Sequence, residues 1–139
     1  MKVGVIGLGT MGMGAALNLL NKSHAVTGCD LRAESRNEFT AAGGAAVASP
    51  DALPTDLEAL VVFVVNAAQT EQVLLGDTGC LPRLPKGGVV LCCATVAPES
   101  ARALGRKIED AGFLMLDSPV SGGAVGARAG TRLCENRRR

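Results

Sequence analysis

The chain has 139 residues, of which 47% are hydrophobic and 19% charged, so it is long enough for one domain with a buried core. Only 2% of the residues are aromatic and the formal net charge is +1. The chain therefore has few aromatic side chains on which bases could stack and too little net positive charge to attract a polyanion, so no nucleic-acid partner is expected. No apolar run approaches the length of a membrane span and no signal peptide precedes the first strand. We therefore expect a cytoplasmic protein without a membrane partner.

The first predicted strand, Lys2–Ile6, leads into three glycines at G-x-G-x-x-G spacing, namely Gly7, Gly9 and Gly12. Apolar residues then recur with a helical period. This order of strand, glycine loop and helix is the pattern of a dinucleotide-binding site. Gly7 would allow the tight turn, Gly9 the approach of a pyrophosphate, and Gly12 close packing of the helix on the strand. The competing interpretation is a glycine-rich turn without a ligand.

The second predicted strand, Ala25–Cys29, ends at Asp30. A carboxylate at this end lies beside the glycine loop and can accept hydrogen bonds from an adenosine ribose. It would repel a 2′-phosphate, which favours NAD over NADP. Arg32 weakens this preference, because a nearby guanidinium can hold a 2′-phosphate. Asp30 can also cap the predicted helix that starts at Ala33.

The rest of the chain continues to alternate between helix and strand patterns, which predicts an α/β fold with a doubly wound parallel sheet. The Leu60–Val65 run is apolar on both faces and predicts a central strand. Ligands of such a fold bind at the carboxyl ends of the strands. The other predicted elements are a helix at Ala33–Ala42, a strand at Ala45–Val47, a helix at Ala68–Leu75, a strand at Val89–Cys92, a helix from Pro98 and a strand at Phe113–Leu116.

Histidine and cysteine give no further site. His24, the only histidine, lies in the turn before the second strand, at the opposite edge from the glycine loop. We interpret it as a solvated turn residue, because a catalytic base must reach the reacting atom. The five cysteines match no zinc or redox spacing, so no metal site is expected. Cys29 and Cys92 lie in apolar runs and are predicted as small core residues.

Four stretches together resemble one family, the β-hydroxyacid dehydrogenases of the 3-hydroxyisobutyrate dehydrogenase type, and several details are most similar to its L-threonate dehydrogenase branch. The resemblance covers about residues 1–130. The D-S-P-V-S-G-G stretch is its most specific part. The four stretches are Gly7-Leu8-Gly9-Thr10-Met11-Gly12, Val65-Asn66-Ala67, Ala94-Thr95-Val96-Ala97-Pro98 and Asp117-Ser118-Pro119-Val120-Ser121-Gly122-Gly123-Ala124.

The resemblance implies an NAD(P)-dependent oxidation of the hydroxyl of a small hydroxy acid. It places the pyrophosphate on the loop Leu8, Gly9, Thr10 and Met11, and the ribose on Asp30. Asn66 and Thr95 would flank the nicotinamide, with Ala67 beside Asn66 among the cofactor-binding residues. Ser121, Gly122 and Gly123 would bind the substrate carboxylate, since a hydroxyl and consecutive N–H groups make an anion site. The competing interpretation of these three residues is a turn.

The chain departs from the family pattern near its end. The resemblance implies a second, all-helical domain that carries the catalytic lysine, and no motif for it follows Leu133. The lysines present, Lys2, Lys22, Lys86 and Lys107, are all expected away from the crevice, so no catalytic residue is assigned. We expect a dinucleotide-binding domain at residues 1–130 and an irregular basic tail at 131–139. The tail suggests a truncated gene product or a shifted reading frame.

Two functions follow from these observations. The first is a dehydrogenase that oxidises a compound of the L-threonate or 3-hydroxyisobutyrate class by hydride transfer. The second is a catalytically silent NAD(P)-binding module, with a homodimer formed through apolar surface that the second domain would cover. The two hypotheses share the fold and the cofactor, and they differ in turnover.

Overall fold

A computed structural model describes residues 1–64, 66–77, 79–93, 97–117 and 137–138 of the chain. Strands and helices alternate along the described residues, as the sequence predicts. In chain order they are β1 (Lys2–Ile6), α1 (Thr10–Asn21), β2 (Ala25–Cys29), α2 (Ala33–Ala41), β3 (Ala45–Val47), β4 (Ala59–Val62), α3 (Ala67–Leu75), β5 (Val89–Cys92), α4 (Pro98–Asp110), β6 (Leu114–Asp117) and β7 (Arg137–Arg138). Short 3-10 turns occupy Pro50–Ala52 and Leu81–Arg83.

The strands form one sheet in the order β3-β2-β1-β4-β5-β6-β7. The neighbours from β3 to β6 pair in parallel, with β1 between β2 and β4. The chain therefore winds outward from β1 in one direction and, from β4 onward, in the other. The strand order reverses between β1 and β4, and in such sheets the ligand crevice lies at this reversal, outside the carboxyl ends of the strands. The predicted fold class, a doubly wound α/β domain, is confirmed.

Apolar side chains bury both faces of the sheet. Val3 and Val5 of β1 point to one face and pack in a cluster with Met13 of α1 and Phe39 of α2. Ile6 belongs to a second cluster, in which β4 and β5 pack against Leu104 and Ile108 of α4. Burial on both sides explains why the central strands are continuous apolar runs instead of alternating with polar residues.

α2 ends one residue earlier than predicted and β6 lies one residue later, and two further elements, β4 and α3, differ from their predicted bounds for local reasons. β4 ends at Val62, although the apolar run continues to Val65. Its next residue, Phe63, still donates its N–H to the Ile6 carbonyl at 2.7 Å, but its own carbonyl lies against the turn at Gly7. α3 begins one residue earlier than predicted, because the Asn66 side chain accepts a hydrogen bond from the N–H of Gln69 at 2.8 Å and caps the helix.

The end of the described chain differs from the irregular tail expected at 131–139. Arg137 and Arg138 pair with β6 as the antiparallel strand β7, so the sheet is not parallel throughout. Backbone pairing at a sheet edge is open to many sequences, and a run of arginines carries no alternating pattern that would predict it. Among the described residues, no helix has the length and apolar character needed to cross a membrane.

Candidate functional site

The turn after β1 depends on two glycines. Gly7 has a φ of +92°, and a Cβ there would lie 2.3 Å from the Phe63 carbonyl oxygen. A Cβ on Gly12 would lie 1.7 Å from the Gly7 carbonyl oxygen. Any side chain at either position would therefore force the loop, β4 and α1 apart. The roles expected from the sequence, a tight turn at Gly7 and close packing at Gly12, agree with this geometry.

Gly9 is different, because the space beside it is open. It is the N-cap of α1 with an ordinary φ of −70°, and no side chain caps the helix there among the described residues. Apart from Gly9 itself and its two chain neighbours, the only described residue with an atom within 4 Å of a Cβ built on Gly9 is Arg32, whose Nη2 lies at 3.7 Å. The free N–H groups at a helix start attract an anion. Bare backbone at an uncapped helix end is a cradle that a Cβ would fill, and it fits a pyrophosphate.

Leu8 contributes to the loop through its backbone only. Its side chain is 2% exposed and lies over Gly28, where a Cβ would come within 2.7 Å of Leu8 Cδ1. Its N–H donates to Oδ2 of Asp30 at 2.8 Å. Leu8 therefore ties the glycine loop to the end of β2. The exposed surface of the loop is left to Gly9, Thr10 and Met11.

The Asp30 carboxylate is held by four donor contacts. Oδ1 accepts from the Arg32 N–H at 2.9 Å and from Arg32 Nε at 3.2 Å, while Oδ2 accepts from Leu8 and from Arg32 Nη2 at 3.3 Å. Burial alone would raise the pKa of Asp30. The hydrogen bonds from the Arg32 side chain and from the N–H groups of Arg32 and Leu8 outweigh it and hold that pKa below its usual value. Asp30 is therefore a fixed anion beside the glycine loop.

A groove of about 530 Å³ opens next to Asp30. Its walls are the end of β2, the segment at residues 48–50 and the exposed face of α3. Leu31, on its rim, is 86% exposed. Beyond Asp30 and Arg32, the wall residues that the sequence did not single out are Ile6, Cys29, Leu31, Ala48, Ser49, Pro50, Val64, Gln69, Gln72 and Val73. The groove is the right size for a nucleoside group.

The remaining predicted site residues are described only in part. Asn66 is exposed at the start of α3, where its side chain caps the helix and its carbonyl accepts from the Thr70 hydroxyl at 2.9 Å. Ala67 is the first residue of that helix. Both follow β4, on the same edge of the sheet as the glycine loop. Thr95, Ser121, Gly122 and Gly123 lie outside the described residues.

The described lysines and His24 lie away from the groove. Lys2 pairs with Asp56, and Lys107 pairs with Glu71 on the outer surface. Lys86 donates to the Ala111 carbonyl at 2.7 Å and lies 4.9 Å from the Phe113 ring centroid. His24 Nδ1 lies 3.3 Å from the amino terminus, at the opposite edge from the loop, and the residue is half-buried. No lysine is among the residues that line the groove in the described part of the chain.

The four cysteines of the described residues are buried. They are Cys29, Cys80, Cys92 and Cys93. Burial raises the pKa of Cys29 to about 11, with the Asp30 charge adding to the effect, and burial raises that of Cys80 to about 12. At neutral pH both thiols are protonated. The prediction of Cys29 and Cys92 as core residues is confirmed.

Comparison with known proteins agrees with the geometry. Residues 2–134 match the family model described as the NAD binding domain of 6-phosphogluconate dehydrogenase. Over 128 residues, which is 92% of this chain and 43% of the relative, the chain is 48% identical to an L-threonate dehydrogenase of Cupriavidus necator. It is also 35% identical to an NAD-dependent L-serine dehydrogenase of Pseudomonas aeruginosa, over 94% of this chain and 44% of the relative.

A solved structure shows the same fold. The crystal structure of a 3-hydroxyisobutyrate dehydrogenase from Salmonella typhimurium superposes with a TM-score of 0.92 at 36% identity, over 98% of this chain and 47% of that one. The chain thus spans less than half the length of these relatives. The resemblance to the β-hydroxyacid dehydrogenases is confirmed, and so is NAD as the predicted cofactor.

Proposed function

The chain belongs to the family of NAD-binding domains of 6-phosphogluconate dehydrogenase, and on that premise we propose that it is the cofactor-binding part of an NAD-dependent hydroxyacid dehydrogenase. The substrate would be a small hydroxy acid of the L-threonate or 3-hydroxyisobutyrate class. The observation that carries the proposal is the pairing of a fixed carboxylate, Asp30, with open backbone at Gly9. The Asp30 carboxylate can accept hydrogen bonds from ribose hydroxyls, and the backbone at Gly9 can bind an anion. Binding of an adenosine diphosphate group requires both.

Each part of the site has a role in this proposal. The N–H groups around Gly9, Thr10 and Met11 bind the pyrophosphate, and Asp30 accepts from the adenosine ribose. The groove between Leu31 and α3 takes the adenine, since apolar side chains make up most of that wall. Bound NAD supplies a hydride acceptor for oxidation of the substrate hydroxyl.

The substrate side rests on residues assigned by resemblance. Asn66, Ala67 and Thr95 would flank the nicotinamide, and Ser121, Gly122 and Gly123 would bind the substrate carboxylate. A hydroxyl next to consecutive N–H groups suits a carboxylate, because each oxygen accepts more than one hydrogen bond. We further propose that the protein works in the cytoplasm.

A second function is favoured by the positions of the lysines. The described lysines pair with Asp56, Glu71 and the Ala111 carbonyl or lie exposed, and none lines the groove. Positioned proton transfer contributes about 10²–10⁴-fold to such reactions. Without a lysine among the described residues that line the groove, the chain alone would be a catalytically silent NAD(P)-binding module, and we propose a homodimer for that form.

A thermal-shift experiment tests the binding proposal. We expect NAD to raise the melting temperature of the full chain more than NADP does, and Asp30→Ala to narrow that difference. Asp110→Ala is the matched control, because Asp110 is an exposed carboxylate at the end of α4. The absence of a shift with either cofactor would refute the proposed function. If NAD and NADP raised the melting temperature of the unsubstituted chain equally, Asp30 would not be the residue that discriminates between them.

A turnover experiment separates the two functions. The pure chain is incubated with NAD and with L-threonate or 3-hydroxyisobutyrate, and NADH absorbance is followed. Appearance of NADH supports a dehydrogenase that is complete in this chain and contradicts the silent module. Stabilisation by NAD without NADH supports the module, and size-exclusion chromatography then tests whether it is a dimer.

A further inference from the structure

A second cavity lies at the opposite edge of the sheet from the groove of the proposed cofactor site. It has a volume of about 420 Å³ and opens between the end of α3, the 3-10 turn at Leu81–Arg83 and the residues that precede β5 and β6. Its walls include Leu74, Leu81, Leu84 and Phe113, and each of these residues is at most 6% exposed. A cavity of this size with apolar walls is typical of a small-molecule site.

Lys86 is the one cation among the described residues that line this cavity, and three contacts fix its position. Its Nζ donates to the Ala111 carbonyl at 2.7 Å, at the carboxyl end of α4. The same nitrogen lies 4.9 Å from the centroid of the Phe113 ring. The stem of the lysine passes over Gly112, where a Cβ would lie 3.0 Å from Lys86 Cδ. The cation is therefore held beside the apolar wall, which its stem partly covers.

The Lys86 ammonium can bind a ligand without leaving this position. An ammonium has three N–H donors, and the Ala111 carbonyl takes one of them. The other two can form charge-assisted hydrogen bonds to a carboxylate at the mouth of the cavity. A hydrocarbon chain on that carboxylate would then be buried against the leucines and Phe113. Asp77 also lines the cavity, but its carboxylate is exposed, so solvent and salt weaken its repulsion of an anion.

We propose that this cavity is a binding site for a small carboxylic acid with an aliphatic chain. Lys86 binds the carboxylate, and the wall formed by Leu74, Leu81, Leu84 and Phe113 binds the chain. The ligand differs in kind from a hydroxy acid, whose hydroxyl groups would lack hydrogen-bond partners against these side chains. The cavity and the groove of the cofactor site share no lining residue, so the inference does not depend on NAD binding.

Titration of the isotopically labelled full chain with hexanoate, followed by backbone amide NMR, tests the inference. We expect the amides of Leu74, Gly76 and Phe113 to shift with a dissociation constant of about 1 mM, which suits a ligand of this size. Butanoate should bind about tenfold more weakly, because it buries two fewer methylene groups. Hexylamine, which has the opposite charge, should cause no shift at these amides.

Substitutions separate the charge from the apolar wall. Lys86→Met keeps a long apolar stem and removes the charge, so hexanoate should bind about fivefold more weakly while the affinity for uncharged hexan-1-ol is unchanged. Lys86→Arg should retain hexanoate binding. Asp77→Asn should tighten hexanoate binding by up to about twofold, since a like charge is removed. Lys22→Met, at the exposed residue that follows α1, is the matched control and should change neither affinity.

Several results would overturn the inference. One is an unchanged affinity for hexanoate in Lys86→Met, and another is an equal loss of hexanoate and hexan-1-ol, which would mean that the lysine only shapes the cavity. If Lys86→Met failed to fold, the unsubstituted chain would still decide the question. The absence of shifts around Phe113 with hexanoate, or an equal response to hexylamine, would refute a carboxylate site there.

Discussion

Alanine at Gly9 is expected to separate cofactor binding from folding. Gly9 has an ordinary φ of −70°, so an alanine can adopt its backbone conformation without strain. Alanine caps a helix less well than glycine, which should lower the free energy of unfolding by about 1 kcal/mol. It also restricts the unfolded chain, which should raise that free energy by about 0.4–1 kcal/mol. These effects nearly cancel. The melting temperature without ligand should therefore change by less than about 4 °C in a domain of this size.

The effect of the same substitution on binding should be large. Apart from the two chain neighbours of Gly9, Arg32 Nη2 is the only described atom within 4 Å of the added methyl group. We propose that the pyrophosphate uses this space. NAD at about a hundred times its dissociation constant stabilises a protein by about 2.7 kcal/mol, or about 8–10 °C here. Gly9→Ala should lose most of that shift in differential scanning fluorimetry.

Gly12→Ala is the contrasting variant. Its Cβ would lie 1.7 Å from the Gly7 carbonyl oxygen, so α1 must move away from the loop. Overpacking of this kind costs about 3 kcal/mol or more, which corresponds to a melting temperature lower by about 10 °C even without NAD. If Gly9→Ala retained the full NAD shift, or if it lowered the melting temperature without ligand as much as Gly12→Ala, the reasoning about the open cradle would be refuted.

Three further predictions concern charge, core packing and thiols. Asp30→Asn should lower stability above about pH 4, because the pKa of Asp30 is depressed on folding; the deficit, followed by urea denaturation, should vanish as pH falls through that pKa, and a constant deficit would argue against an ionic role. Phe39→Ala should cost about 3–5 kcal/mol in urea denaturation, since Phe39 is fully buried against Gly44; a loss below about 1 kcal/mol would contradict this packing. Cys29, whose pKa is raised to about 11, should react with iodoacetamide at mildly alkaline pH only after the chain unfolds. Rapid labelling of Cys29 in the folded chain, detected by mass spectrometry, would disprove its burial.

Periodicity and glycine spacing predicted most of the fold because each strand is buried in a parallel sheet. The strands Lys2–Ile6, Ala25–Cys29, Ala45–Val47 and Val89–Cys92 have the predicted bounds. β4 was predicted to end three residues too late, since hydrophobicity does not mark the residue at which strand pairing ends. Phe63 still donates its N–H to the Ile6 carbonyl, and its own carbonyl lies against the turn at Gly7.

The candidate site was predictable where a motif dictates chemistry and unpredictable where only topology brings residues together. Gly7, Gly9, Gly12 and Asp30 follow from spacing alone. The groove wall does not, because only the crossover from β4 to α3 brings Gln72 and Val73 to the groove that Asp30 also lines. One feature of the sequence could have indicated this wall, because α3 directly follows β4, the strand beside β1. The pairing of Asp30 with the Arg32 guanidinium also needed the structure, because only the hydrogen-bond distances show it.

The most direct test of the central claim is a titration of the isotopically labelled chain with NAD, followed by backbone amide NMR. The account predicts the largest shift changes at Gly9, Thr10, Met11 and Arg32, around the loop and the groove. Amides at the opposite edge of the sheet, such as that of Lys86, should not move. Unchanged amides at Gly9 and Arg32 at saturating NAD, or changes clustered around Lys86, would contradict it.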